Sequence, residues 1–69
     1  MKGYEGKRVR AFEFEANGRT VILKPLSEPY EDEGTWFFVG FRWQWFKNDF
    51  AKKSVRLSAK KFQEIMWTY

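Results

Sequence analysis

From Arg8 to Ala16 the chain alternates polar and apolar positions at a period of two, the pattern of a half-buried strand. Asn17-Gly18 follows, a pair that tolerates the positive φ of a two-residue hairpin turn. Arg19–Leu26 then reads as the returning strand, which sets Phe14 opposite Val21, Glu13 opposite Ile22 and Phe12 opposite Leu23. Pro25 and Pro29 limit the far end of that strand and open an acidic loop, Ser27–Gly34. A long third strand is predicted over Thr35–Lys47, with Gly40 placed to hold a bulge or bend at its centre. After the connection Asn48–Lys53 comes a short fourth strand, Ser54–Leu57.

The C-terminal segment changes period. Phe62, Ile65, Met66 and Tyr69 fall at i, i+3, i+4 and i+7, one face of a helix over Ala59–Tyr69. Ser58 is placed as its N-cap, and Leu57 with Phe62 as a hydrophobic staple. Trp67 lies off that stripe and becomes a candidate for a contact between subunits. The expected fold class is therefore α+β: a four-stranded antiparallel sheet with one C-terminal helix packed on one face. Residues 8–69 form a single domain preceded by a flexible arm, Met1–Lys7, and there are no internal repeats.

The third strand holds seven aromatic rings in twelve residues, Thr35 to Phe46, and they fall on both of its faces. One row is Phe37, Val39, Phe41, Trp43 and Trp45; the other is Trp36, Phe38, Gly40, Arg42, Gln44 and Phe46. Arg42 and Gln44 cannot lie beneath a helix without partners, so their row is expected on the open face. On the hairpin, Phe12, Phe14, Val21 and Leu23 form the more apolar set and are placed inward, which leaves Glu13, Glu15, Thr20, Ile22 and Lys24 outside. On the fourth strand Val55 and Leu57 point inward and Arg56 outward. The reverse hairpin assignment would line the open face with Arg8, Arg10, Phe12 and Phe14.

Size makes the rings matter more. A chain of 69 residues is near the limit at which one core suffices, and such chains usually carry a disulfide, a metal or a partner. With no Cys and no His, disulfides and the common zinc ligand sets are excluded, leaving oligomerisation or dense aromatic packing. A homodimer is the expected assembly. No apolar run approaches the length of a membrane span, so a cytoplasmic location is expected, nucleoid-associated if the ligand is DNA. The absence of Cys and the scarcity of Asn and Gln are compatible with a thermophilic source.

The net charge is +4, and its distribution is uneven. The acidic loop carries Glu28, Glu31, Asp32 and Glu33; without these four acids the remaining chain has 13 bases against 5 acids. A basic body with one acidic loop suits a polyanion kept to one surface. Catalysis is not expected, because the usual general base and the thiol nucleophile are missing. Glu13 and Glu15 are spaced like paired carboxylates but read as a solvated strand face. The acidic loop lacks the spacing of a calcium-binding loop. No cofactor is expected.

Rings beside bases are the ingredients of single-stranded nucleic-acid binding, in which bases stack on aromatic side chains while Lys and Arg follow the phosphates. The candidate surface comprises Trp36, Phe38, Phe46, Arg42, Gln44, Arg56 and Lys24, extended by Lys47, Lys52 and Lys53. Binding is expected to be largely independent of sequence, with single-stranded DNA or RNA as the partner. The alternative is a protein–protein interaction module, such as a small viral or accessory protein, that docks by its aromatic sheet face.

Ser54-Val55-Arg56-Leu57-Ser58-Ala59-Lys60-Lys61-Phe62-Gln63-Glu64-Ile65 resembles the strand-to-helix junction of the transcriptional positive-cofactor-four family. The order of hairpin, long strand, short strand and helix is also similar. That resemblance implies a curved antiparallel sheet that binds single-stranded DNA, and dimerisation partly through the C-terminal helix. The turn pair Gly18-Arg19 matches the family's glycine-plus-base hairpin, which adds Arg19 to the candidate site. The chain is similar in the same way to ThermoDBP-type archaeal proteins, which present aromatic and basic sheet faces to single strands. The acidic loop and the Trp-rich third strand depart from the first pattern.

Overall fold

A computed structural model describes residues 6–69. The chain runs through seven strands: β1 (Arg8–Ala16), β2 (Arg19–Pro25), β3 (Tyr30–Asp32), β4 (Thr35–Gln44), β5 (Asp49–Phe50), β6 (Val55–Ala59) and β7 (Gln63–Thr68). All pairings are antiparallel. Of the arm expected at its start, residues 1–5 lie outside the described residues. Lys7 exchanges both backbone hydrogen bonds with Tyr69, at 2.6 and 2.8 Å, and so extends the β1–β7 ladder.

The first hairpin follows the sequence pattern. Asn17 and Gly18 have φ of 55° and 75°, and the register sets Phe12 against Leu23, Glu13 against Ile22 and Phe14 against Val21. β4 is the central element. Gly40 pairs with both Pro25 and Val55, so β2 and β6 flank it on opposite sides. β3, inside the acidic loop, joins β4 near its start, where Tyr30 faces Phe37, and β5 joins its end, where Trp43 faces Phe50. β7 lies beyond β1 and runs from Gln63 against Glu13 to Thr68 against Arg8.

The expected C-terminal helix is therefore corrected: among the described residues there is no helix, and the fold is an all-strand, curled antiparallel sheet. The physical reason is that residues 63–69 satisfy a period of two better than a period of 3.6. Ile65, Trp67 and Tyr69 pack inward, whereas Glu64 and Thr68 are exposed and Met66, placed on the helical face by its spacing, is 56% exposed. Ile, Trp, Thr and Tyr also fit a pleated surface well, and β1 offers an open edge to pair with. Ser58 lies within β6 and caps nothing. Trp67 packs inside its own chain, edge-on to Trp43 and Trp45 at 5.4 and 5.8 Å between centroids. Its Nε1–H is buried without a hydrogen-bond partner, so packing alone holds the indole.

With a helix absent, the sheet covers itself by curling, and it does so on both faces. Directly paired residues share a face, so β1, β2 and β4 place Phe12, Phe14, Val21, Leu23 and Phe38 together on one side. Trp36, Leu57, Ala59 and Phe62 close over this cluster. The opposite face carries Ala11, Ile22, Trp43 and Phe50, covered by Val9, Phe41, Ile65, Trp67 and Tyr69. Ile22, expected outside, is 1% exposed, and Val55, expected inside, is 38% exposed. The strands run close where β2 crosses β4. A Cβ built on Gly40 would lie 2.1 Å from the Lys24 carbonyl oxygen and 2.8 Å from Leu23 Cδ2. Gly40 thus serves the close approach of two backbones, as glycine in a strand interior commonly does.

Gly40→Ala is expected to destabilise the domain by on the order of 3 kcal/mol, because the atom in its way is backbone and cannot rotate aside. Urea unfolding followed by tryptophan fluorescence measures this directly. An unchanged midpoint would show that β2 and β4 separate freely.

Candidate nucleic-acid interface

The last turn of β4 builds the most open part of the surface. Lys47 and Asn48 donate their backbone N–H groups to the Gln44 carbonyl at 3.1 and 2.9 Å, closing a tight turn that projects Trp45 and Phe46. Asn48 takes the positive φ of 52° that this turn requires. Phe46 is 99% exposed and Trp45 55%, so both present ring surface to water. A groove of about 300 Å³ beside them is lined by Arg19, Arg42, Trp43, Gln44, Trp45, Phe46 and Lys47. The register explains the meeting: Arg42 pairs with Leu23, and β2 begins at Arg19, so the start of β2 lies alongside the end of β4. A second depression of about 540 Å³ shares Gln44 and Lys47 and adds Lys52 and Lys53.

Charge in this region is almost all positive. Among the described residues none of Arg19, Arg42, Lys47, Lys52 and Lys53 makes an ion pair. The one acid lining either depression is Asp49, whose Oδ1 accepts the Phe50 backbone N–H at 2.8 Å and is thereby turned toward its own chain. Arg10 on β1 is differently placed. Its Nε donates to Glu64 Oε2 at 2.7 Å and its Nη2 to Glu28 Oε1 at 3.0 Å. These hydrogen bonds, first that to Glu28 and then that to Glu64, raise the already high pKa of Arg10. The Arg10 guanidinium in turn holds the Glu28 carboxyl below the usual carboxylate range. Arg10 is occupied where the five bases of the two depressions are not.

Of the residues singled out in the sequence, Arg19, Arg42, Gln44, Phe46, Lys47, Lys52 and Lys53 converge in these two adjoining depressions. The other four do not. Phe38 is 1% exposed and stacks on Phe14 at 4.6 Å, so the expectation that it lies open is corrected. Trp36 is half-buried and meets Phe62 edge-on at 5.1 Å. The reason is the same for both: the curl folds the Thr35 end of β4 over the hairpin, and Phe12 and Phe14 occupy that face too, which also excludes the reverse hairpin assignment. Arg56 lies over the Phe37 ring at 4.6 Å and donates from Nη2 to the Tyr30 hydroxyl at 2.9 Å. Lys24 sits over Phe41 and Phe50 at 5.5 and 5.0 Å.

Trp45 is the residue missed. Alternation places it in the row beneath the expected helix, yet it lies beside Phe46 along the groove. Its signal was present in the polar run Lys47-Asn48-Asp49, which marks a turn directly after it. No protein-family model matches the chain, and no curated protein or solved structure matches it either.

Two outcomes separate core rings from surface rings. Phe38→Ala is expected to cost about 3–5 kcal/mol of stability, whereas Phe46→Ala stays within about 0.5 kcal/mol of the parent in the same urea titration. The Arg10–Glu28 pair predicts a pH effect whose sign follows from the lowered Glu28 pKa. The stabilisation is present above the ordinary glutamate range and is lost as pH falls through the lowered value. Thermal melts between about pH 6 and pH 3 should therefore fall more steeply for the parent than for Glu28→Gln. Parallel profiles would remove the pair from the stability of the fold.

Proposed function

We propose that this domain binds single-stranded nucleic acid at the end of β4, without catalysis and largely without regard to sequence. The observation that carries the reading is the convergence of five bases without ion-pair partners on two adjoining depressions, the smaller of which is lined by the exposed rings of Phe46 and Trp45. Phosphates are drawn to Arg19, Arg42 and Lys47, and Lys52 and Lys53 continue the track. Arginine suits this role because its fork of N–H donors matches two phosphate oxygens at once. Bases then stack on Phe46 and Trp45, each stack contributing about 1–3 kcal/mol. Gln44, between the two depressions, offers a donor and an acceptor to a base edge or a sugar.

A flexible strand suits the site better than a duplex does. Stacking on Phe46 requires an exposed base face, which a paired helix keeps covered. The acidic residues lie at the other end of β4, so a strand following the bases is steered away from Glu31, Asp32 and Glu33.

A labelled oligonucleotide titrated at two salt concentrations tests this. Five phosphate contacts imply a loss of affinity of roughly 100-fold between about 50 and 200 mM salt. Phe46→Ala should weaken binding by about 1–3 kcal/mol with stability unchanged, and Arg42→Gln should lower both affinity and the salt slope. An affinity indifferent to salt and to Arg42→Gln would instead favour an apolar protein partner on the same rings. No binding at low salt would overturn the reading.

A further inference from the structure

The two ends of β4 carry opposite and unanswered charge. At its start the β3–β4 hairpin turns through Glu33 and Gly34, with φ of 53° and 82°, and raises Glu31, Asp32 and Glu33 as an exposed tip. None of these three carboxylates makes an ion pair among the described residues, and Glu28, the remaining acid of that loop, is held by Arg10. At its end lie Arg19, Arg42 and Lys47, likewise unpaired. The ten residues of β4 hold the two groups roughly 30 Å apart. At about 0.1 M salt the Debye length is near 10 Å, so the groups do not neutralise each other within one molecule. The strand between them is clamped by neighbours on both sides and cannot fold back.

We infer that the basic groove of one molecule accepts the acidic Glu31–Glu33 tip of a second copy, a head-to-tail contact that single-stranded nucleic acid displaces. The inference rests on the reading that the groove binds phosphate, since the donors that suit a phosphate also suit a carboxylate. The geometry favours the tip over a broader surface. A two-residue turn is narrow and fully exposed, and the groove is small, at about 300 Å³. Each molecule then keeps one free tip and one free groove, so the contact is heterologous and continues into short chains rather than closing into a symmetric pair. Nucleic acid and a neighbouring copy compete for the same bases. The acidic hairpin thus acts as a low-affinity occupant that shields the groove until a polyanion arrives.

Sedimentation of the full chain tests this at about 20 mM salt, where the Debye length is roughly 20 Å, and again at about 300 mM. At low salt the mean mass should at least about double, and it should return to the monomer at high salt or when oligonucleotide is added. The variant E31Q/D32N/E33Q should stay monomeric at low salt and still bind oligonucleotide. The variant R42Q/K47Q should also stay monomeric alone, yet an equimolar mixture of the two variants should form one-to-one pairs, since the first supplies the groove and the second the tip. A monomeric parent at low salt would overturn the inference. So would association that survives loss of the acidic tip, or a mixture that remains monomeric. If the parent associates but no oligonucleotide binds, the docking stands and the nucleic-acid reading falls. If oligonucleotide binds to a protein that never associates, the reverse holds.

Discussion

The approach of β2 to β4 at Gly40 is the contact around which the domain closes. A side chain there would meet the Lys24 carbonyl, so the only residue compatible with the crossing is the one without a Cβ. With the two strands this close, the curled sheet packs on itself on both faces. Phe38 reaches Phe14 on one face, and Trp43 reaches Trp67 on the other. A small chain without cysteine, and without a helix among the described residues, thereby acquires two aromatic clusters instead of one thin core. Each ring contributes a large apolar area, and edge-to-face contacts add further stabilisation. The density of Trp and Phe in β4 is what this architecture needs, since that strand serves both clusters.

Much of the local structure was legible in the sequence. The hairpin register followed from Asn17-Gly18 and alternation alone, because a two-residue turn leaves no freedom in how the strands align. The C-terminal element was not legible, for a definite reason. A segment such as Phe62-Gln63-Glu64-Ile65-Met66-Trp67-Thr68-Tyr69 satisfies a helical stripe and a strand alternation at once. What decides between them is the free edge of β1, a tertiary fact. A helix over one face would leave the other open, with Phe38 in water and Trp45 covered; the strand instead leaves Phe38 1% and Trp45 55% exposed.

The candidate site fared differently, because charge placement depends less on the helix than ring placement does. Arg42, Gln44 and Lys47 stay near Phe46 under either fold, being neighbours along one strand and its turn. Arg19 joins them through the hairpin register and the β2–β4 pairing, which no short-range pattern reveals. Arg56 and Lys24 lie instead over Phe37, Phe41 and Phe50, whose ring faces attract a cation. Density of rings near bases therefore predicts two competing outcomes. Only the fold tells which cations remain free.

The indoles of Trp43, Trp45 and Trp67 sit edge to face within 6.5 Å of one another. At such separations excitation migrates between tryptophans faster than it is emitted. The three thus form one contiguous indole cluster that runs from the exposed Trp45 to the buried Trp43. A contact that quenches Trp45 from outside therefore also drains emission excited in Trp43 and Trp67, so the molecule carries an optical reporter that reaches into its own core.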